Sequence, residues 1–245
     1  MYNQNYLLII LFSCFVNTII AIDSRVFDGQ DIRFEVHKYL VQLKVHRRLS
    51  NPSLCSGSII DHSWIITAAH CFKTDVKRVT VFRQTEDRLR KIAQVDRSDI
   101  HIHPSFVSGD ASVIDKPGDI ALIKTKCPIK FSASIQPVKL TKTPPQIGQS
   151  AVIAGYGASE DYVAYPREGT TKLTQCPYDV DGLICSIDTV RAGSGDSGGS
   201  LISRGRLIGV TSASCKNVHI HKNCITIYMD VFSNLDWIQK VVTSY

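Results

Sequence analysis

The sequence contains no internal repeat and no low-complexity tract, which excludes repeat architectures and disordered polar chains. Beyond residue 21 no apolar run is long enough to cross a bilayer, so no membrane anchor is predicted. Acidic residues interrupt the most basic stretch, residues 83–97, and the net charge is only +6, which favours a solvated surface over a nucleic-acid-binding patch. No glycosylation triplet is usable, because the one at Asn51 has proline in its middle position.

An apolar block at residues 7–16 is too short to span a membrane and is typical of the core of a signal peptide. Only the terminal amine supplies positive charge ahead of it, and Ala21 is a suitable cleavage residue. Residues 1–21 are therefore predicted to be a signal peptide, and the mature protein is predicted to be a secreted, extracellular monomer. The 245 residues, 44% hydrophobic and 20% charged, supply enough apolar mass for a sizeable core.

Short segments of alternating or apolar residues, separated by turns rich in glycine and proline, run through the chain. The strand candidates are residues 39–45, 78–82, 150–154, 206–211 and 225–229. Many short strands punctuated in this way predict an all-β barrel architecture. Near the end, Ser233 is predicted to cap a final helix that places Leu235, Ile238 and Val242 on one side.

The most informative motif is Gly195-Asp196-Ser197-Gly198-Gly199, which places a serine in a glycine-rich turn. Glycines allow a tight bend and leave backbone N–H groups uncovered. The N–H groups of Gly195 and Ser197 would point at one spot and stabilise a negative oxygen there. A serine hydroxyl beside two aimed donors is half of an acyl-transfer site, and the other half is a base.

His70 is the candidate base, and it lies in the segment Thr-Ala-Ala-His-Cys. A neutral imidazole can take the serine proton and return it to a leaving amine. It needs a third group to fix its tautomer and stabilise its charged form. Asp119 is the best candidate, because it stands just before an apolar run, where a buried carboxylate needs a partner.

Together these motifs resemble the trypsin/chymotrypsin family of serine proteases, whose catalytic residues follow the chain order His70, Asp119, Ser197. The resemblance runs through nearly all of residues 26–245, which are thereby assigned to one protease domain. It implies two six-stranded antiparallel β-barrels and a C-terminal helix, with the catalytic groups in the cleft between the barrels. The chain would cross from one barrel to the other near residues 130–145, where prolines gather.

The resemblance also implies activation by cleavage. Residues 22–25 would be a propeptide, and a trypsin-like protease would cut after Arg25 to free the amine of Val26. In the family that amine inserts and pairs with the aspartate before the nucleophile, here Asp196, and so orders the oxyanion loop. Phe27 departs from the usual small residue at this second position.

Secretion makes the eight cysteines informative about disulfides. The expected pairs are Cys55 with Cys71, Cys176 with Cys185, and Cys215 with Cys224. The first two are bridges of the family, and the third would close a short loop. Cys14 would leave with the signal peptide, and Cys127 remains either free or paired between chains.

The primary specificity pocket departs from the family pattern. Arg191, six positions before the nucleophile, occupies the pocket floor, where trypsin-like members have an aspartate, so Lys or Arg substrates would be repelled. Arg191 would either bind an acidic substrate side chain or fold back and fill the slot. Gly193 replaces a bridging cysteine, Ser214 and Thr226 replace glycines and narrow the pocket, and Ser212 keeps the role of contacting the substrate backbone.

Two histidine pairs, His101 with His103 and His219 with His221, have a spacing that can hold zinc. Without a third ligand nearby, surface or loop histidines are the favoured interpretation. The loop where the family has its optional calcium, residues 81–95, lacks bracketing carboxylates. The sequence therefore predicts no metal and no cofactor.

Two functional hypotheses follow. The first is an active endopeptidase that cleaves proteins or peptides and meets protease inhibitors as further partners. The second is a binding protein on a protease scaffold, a decoy or inhibitor whose pocket has closed. The second is favoured by the altered pocket and by a further missing bridge, since Ala151 and Ser203 occupy its two positions. The undamaged catalytic motifs favour the first.

Overall fold

The computed structural model describes residues 26–33, 35–72, 75–86, 88–107, 118–157, 165–215 and 224–244. Within them the chain is mostly β-structure, with one α-helix near the end. The strands are β1 (Gln30–Asp31), β2 (Leu40–Arg47), β3 (Ser53–Ile59), β4 (Trp64–Thr67), β5 (Val76–Gln84), β6 (Leu89–Asp96), β7 (Ile100–Ile102), β8 (Ala121–Lys124), β9 (Lys139–Leu140), β10 (Ser150–Gly155), β11 (Arg167–Thr174), β12 (Leu183–Asp188), β13 (Ser200–Ser203), β14 (Arg206–Ser214) and β15 (Cys224–Asp230). The helix is α1 (Leu235–Ser244), and short 3-10 turns cover Ala69–Cys71 and Arg97–Asp99. The predicted all-β class and the C-terminal helix are confirmed.

The second half of the chain forms a closed barrel. Strands β10 to β15 pair in the order β11-β10-β13-β14-β15-β12, and pairing of β11 with β12 closes the ring. Two short strands add to it, because β1 pairs with β11 and β9 runs parallel to β14. Three of these strands, β10, β14 and β15, are those predicted at residues 150–154, 206–211 and 225–229, extended by up to three residues.

The first half forms the second antiparallel sheet of the predicted fold, as a half-barrel of seven strands in the described residues. Its order is β6-β5-β2-β3-β4-β8-β7, and every neighbouring pair is antiparallel. The extra strand β7 lies at one edge and β6 at the other, and among the described residues no ladder joins them. Bulges in β2 and β5 curve the sheet into a half-barrel around its apolar face.

The chain passes between the two sheets at residues 138–139. Val138 still donates its N–H to the carbonyl of Ile59 in β3, and the next two residues form β9 against β14. Ser233 does not cap α1 as expected. The helix begins at Leu235, and the hydroxyl of Ser233 instead donates to Asp230, whose carboxylate also accepts the N–H of Phe232.

Three disulfides join the expected cysteine pairs. Their S–S distances are 1.98 Å for Cys55–Cys71, 2.11 Å for Cys176–Cys185 and 2.16 Å for Cys215–Cys224. The thiol of Cys127 is free and exposed. The only α-helix among the described residues is too short and too polar to cross a bilayer.

A buried polar cluster locks the two sheets together. Tyr156, just after β10, donates its N–H to Ser56 Oγ in β3 at 2.8 Å. Its hydroxyl accepts the Gln84 N–H at 3.0 Å and the guanidinium of Arg83 at 3.3 Å, both at the end of β5. Burial raises the pKa of Tyr156, so the ring stays neutral and bridges both halves of the molecule beside the cleft.

Tyr156→Phe removes the acceptor of the buried Gln84 N–H and one acceptor of Arg83 Nη1, which also donates to the Gln84 carbonyl. We expect a loss of about 1–3 kcal/mol in the free energy of unfolding, measured by urea titration, because unsatisfied buried donors retain their full desolvation cost. The matched control is Tyr178→Phe, since the partly exposed Tyr178 makes no hydrogen bond through its hydroxyl within the described residues. Equal losses in the two variants would contradict the assignment.

Candidate active site

His70 and Asp119 meet because the strands that carry them are antiparallel neighbours. Thr67 at the end of β4 pairs with Ala121 at the start of β8, so the residues just beyond each strand face one another. The Asp119 carboxylate has no exposed surface. Its Oδ1 accepts the backbone N–H of His70 at 2.8 Å, and its Oδ2 lies 2.7 Å from His70 Nδ1.

This contact fixes the tautomer of His70. A carboxylate only accepts hydrogen bonds, so Nδ1 carries the proton and Nε2 of the neutral ring holds a free lone pair. The imidazole remains partly exposed, with 22% of its side-chain surface accessible, and reaches the cleft. The ring is thus presented as a base whose orientation a buried anion controls.

Ser212 supplies the third donor to Asp119 from the second barrel. A bulge between Thr211 and Ala213 takes Ser212 out of register with β15, and its hydroxyl donates to Asp119 Oδ2. With donors from His70 and Ser212, the buried carboxylate is satisfied on both oxygens. It therefore joins the two halves of the molecule at the cleft.

The Ser197 turn lies against the strands that lead to His70. The carbonyl of Ser197 accepts the N–H of Ser56 at 2.7 Å, and the hydroxyl of Ser56 donates to the carbonyl of Gly195 at 2.9 Å. Gly198 has φ of 80°, and a side chain there would collide with Thr67 Oγ1. Only glycine allows this close approach. It brings the Ser197 turn against Thr67, which precedes His70 by three positions in the sequence.

Among the described residues, no hydrogen bond joins His70 to Ser197. Looser contacts between base and nucleophile are common before a substrate is bound. The turn also leaves two donors available. In the described part of the chain, neither the Gly195 nor the Ser197 N–H donates to a protein acceptor, whereas the neighbouring N–H groups of Asp196 and Gly198 do.

A second buried carboxylate, that of Asp196, supports the Ser197 turn. Asp196 is fully buried, and its Oδ2 accepts the Val26 N–H at 2.9 Å and the Gly193 N–H at 2.8 Å. Its Oδ1 accepts the Gly157 N–H at 2.9 Å. Three separate segments are therefore held on one side chain. Arg25, the predicted cleavage residue, lies outside the described residues.

Side-chain hydroxyls of the predicted specificity pocket contact one another. Thr226 in β15 is fully buried, and its Oγ1 lies 3.4 Å from the N–H of Ala192 and 3.2 Å from Ser214 Oγ. The sequence assigned Ser214 and Thr226 to the predicted specificity pocket, and these hydrogen bonds connect the two side chains to each other and to the segment just after Arg191.

Arg191, the residue predicted at the pocket floor, is 6% exposed, and its guanidinium contacts other parts of the chain. The guanidinium carbon lies 4.3 Å from the ring centroid of Phe27, and Nη1 donates to the Thr189 carbonyl at 3.4 Å. Residues 27 and 191 also form an antiparallel bridge, with the Phe27 N–H 2.9 Å from the Arg191 carbonyl. Of the two predicted alternatives, this arrangement corresponds to an arginine turned back onto the protein.

Sequence reasoning missed Ser56 and the role of Phe27. Ser56 is fully buried and contacts the turn of Ser197 through both its N–H and its hydroxyl. The sequence did hold a signal for Ser56, because it is a polar residue in a strand of mostly buried residues and directly follows a cysteine that was predicted to form a disulfide. Phe27 carried a signal too, since it departs from the family pattern, but nothing local indicated its partner.

The histidine pair that the described residues contain is used in packing. His101 lies beside Trp64 with ring centroids 5.3 Å apart, and His103 meets Trp237 of α1 edge-on at 4.9 Å. Burial lowers the pKa of both imidazoles. The described ranges hold no cluster of three side chains suited to a metal ion, and His219 with His221 lies outside them.

Comparison with known proteins places this geometry in context. Residues 26–238 match the family model described as Trypsin. The snake venom serine protease serpentokallikrein-1 of Protobothrops mucrosquamatus is 27% identical over 239 residues, covering 89% of this chain and 87% of the relative. The thrombin-like enzyme kangshuanmei of Gloydius brevicauda is 29% identical over 245 residues, covering 89% and 96%. A beta-fibrinogenase-like protein of Daboia siamensis is 28% identical, covering 87% and 86%.

Ser212→Ala removes one donor from the buried carboxylate of Asp119. We expect a loss of about 1.5–3 kcal/mol in the free energy of unfolding, measured by urea titration at neutral pH, because hydrogen bonds to charged groups are the stronger class. Ser134→Ala, at a partly buried loop serine that bonds only to Ser132, is the matched control. A loss in Ser212→Ala no larger than in the control would contradict the role given to Ser212.

Proposed function

The chain belongs to the trypsin family of serine proteases, and from this premise we propose that it is a secreted serine endopeptidase. Ser197 would be the nucleophile, His70 the general base, and Asp119 the group that orients the imidazole. The observation that carries the proposal is the buried contact between Asp119 Oδ2 and His70 Nδ1 at 2.7 Å, which leaves Nε2 as a base in the cleft of Ser197.

The proposed reaction follows from these positions. His70 Nε2 takes the proton of the Ser197 hydroxyl as its oxygen attacks a substrate carbonyl. The carbonyl oxygen becomes negative and is held by the N–H groups of Gly195 and Ser197, which have no protein acceptor among the described residues. The imidazolium, stabilised by Asp119, then protonates the leaving amine, and water hydrolyses the acyl-enzyme by the same steps in reverse order.

The proposed substrates are proteins or peptides with a small residue before the scissile bond. Thr226 and Ser214 occupy the slot, and Arg191 at its floor would repel Lys or Arg. The names of the relatives therefore do not transfer their substrates to this chain. Ser212, whose hydroxyl donates to Asp119, would contact the substrate backbone.

Activation by cleavage after Arg25 is part of the proposal. The Val26 nitrogen already lies 2.9 Å from Asp196 Oδ2, the place a new terminal amine would take. Val26 has φ of 23°, an unfavourable conformation for a β-branched residue that costs about 1–3 kcal/mol. A new amino terminus has no φ torsion, so cleavage before Val26 would remove this strain and add an ion pair to a buried carboxylate.

A decoy that binds proteases or their inhibitors is the second candidate. The filled slot at Thr226 favours it, as does the loss of the bridge between positions 151 and 203, where Ser203 Oγ instead donates to the Ser150 carbonyl at 2.7 Å. On this account the catalytic groups would be assembled but no substrate side chain would fit. Turnover separates the two functions.

The processed protein should react with a fluorophosphonate probe at Ser197 and cleave members of a peptide library with small residues before the cut. Ser197→Ala should abolish both signals, because the attacking oxygen is lost. Ser194→Ala, at an exposed serine of the same turn, is the matched control and should retain labelling. Folded, processed protein that neither labels nor cleaves, yet binds a protease or inhibitor tightly, would establish the decoy instead.

Arg25→Gln should block activation. Treatment of the unmodified protein with trypsin should give a new terminus at Val26, seen by terminal sequencing, and raise the rate of probe labelling. The expected rise is about a hundredfold, the usual rate cost of misplacing catalytic groups by about 1 Å. Arg33→Gln, at an exposed arginine near the same segment, should activate normally. Equal labelling of Arg25→Gln before and after trypsin, at the level of the activated protein, would refute the zymogen mechanism.

A further inference from the structure

We propose that Phe27 is a positioning residue for substrate selectivity, because its ring holds the guanidinium of Arg191 away from the substrate side chain. The inference rests on the proposed function and adds to it the reason why this pocket excludes acidic residues despite an arginine at its floor. It also makes the new amino-terminal segment, which begins at Val26 after cleavage, a structural part of the specificity pocket.

The first support is the way the two residues meet. Backbone hydrogen bonds in both directions pair Phe27 with Arg191, at 2.9 Å and 3.4 Å. Opposed residues of an antiparallel bridge project their side chains to the same side, so the ring and the guanidinium are brought face to face. The distance of 4.3 Å from the guanidinium carbon to the ring centroid is within cation–π range, and burial of Arg191 strengthens that attraction.

The second support is that Phe27 itself is fixed. Its neighbour Val26 is fully buried and donates to Asp196, and Gly29 accepts a hydrogen bond from Arg167 of β11. Beyond it, β1 pairs with β11. The ring is therefore anchored on both sides along the chain and cannot follow Arg191 toward a ligand.

The consequence concerns substrate charge. An acidic side chain entering the slot would have to draw Arg191 away from both the Phe27 ring and the Thr189 carbonyl. It would also have to pass Thr226, whose hydroxyl lies across the slot. A small neutral side chain requires neither change. Removing the aromatic face would release the guanidinium while keeping its charge, and the pocket would then accept glutamate.

The test measures binding, which needs no turnover. Peptide affinity is measured by calorimetry for the wild type and four variants: Phe27→Leu, Phe27→Tyr, Arg191→Gln and the double variant Phe27→Leu/Arg191→Gln. Each protein is measured after cleavage at Arg25, and the uncleaved protein is the reference. The probes are the peptide acids acetyl-Ala-Ala-Glu and acetyl-Ala-Ala-Ala, which differ only in the side chain that enters the slot. Cleavage of matched peptide substrates is followed in parallel, and urea unfolding verifies that each variant is folded.

Phe27→Leu should raise the affinity ratio for the glutamate peptide over the alanine peptide about tenfold, the size expected when one buried cation–π contact no longer competes. Phe27→Tyr keeps the aromatic face and should stay within about twofold of wild type, and the double variant should lose the gain. If Phe27→Leu does not fold, Phe27→Met takes its place.

A ratio in Phe27→Leu equal to that of wild type overturns the proposal. So does an equal rise in the double variant, because the gain would then come from space and not from Arg191, and so does a failure of Phe27→Leu to bind the glutamate peptide. Absence of turnover in every form, with the binding pattern as expected, refutes the endopeptidase function and leaves the role of Phe27 established.

Discussion

The carboxylate of Asp196 is the constraint on which the rest of the site depends. A buried ion is costly unless hydrogen bonds replace its hydration, and Asp196 obtains these from three backbone N–H groups in segments far apart in the sequence. Val26 belongs to the start of the described chain, Gly157 follows β10, and Gly193 precedes the catalytic turn. Loss of any one segment leaves the ion undersolvated, so the three are ordered together.

Asp119 plays the corresponding part on the other side of the cleft. It takes donors from His70 in the first half and from Ser212 in the second, as Asp196 gathers its donors around the turn of Ser197. The proposed base and the proposed nucleophile are thus each supported by a fully buried carboxylate. This arrangement explains how the site is ordered without the bridge that the family has at positions 151 and 203.

The sequence singled out the candidate site residues that carry local chemical signatures. His70, Asp119 and Ser197 each lie in a short motif, and strands β2, β5, β10, β14 and β15 were recognised from their apolar or alternating residues. The closure of a sheet depends on pairing between distant edges, which no local pattern records, so the half-barrel form of the first half is known only from the structure. The partner of Arg191 was undetermined for the same reason, because Phe27 is distant in sequence and the contact exists only after both barrel and amino-terminal segment are in place.

In the proposed mechanism, catalysis and selectivity depend on different groups. The carboxylates of Asp119 and Asp196 would hold the reacting groups, whereas Thr226 and Arg191 would define the slot, where Arg191 contacts the Phe27 ring and the Thr189 carbonyl. Substitutions in the slot can therefore change which side chain enters while the donors of both ions stay in place. A closed or unusual pocket is consequently weak evidence that the chemistry is lost, and the intact donor sets around the two ions are the stronger observation.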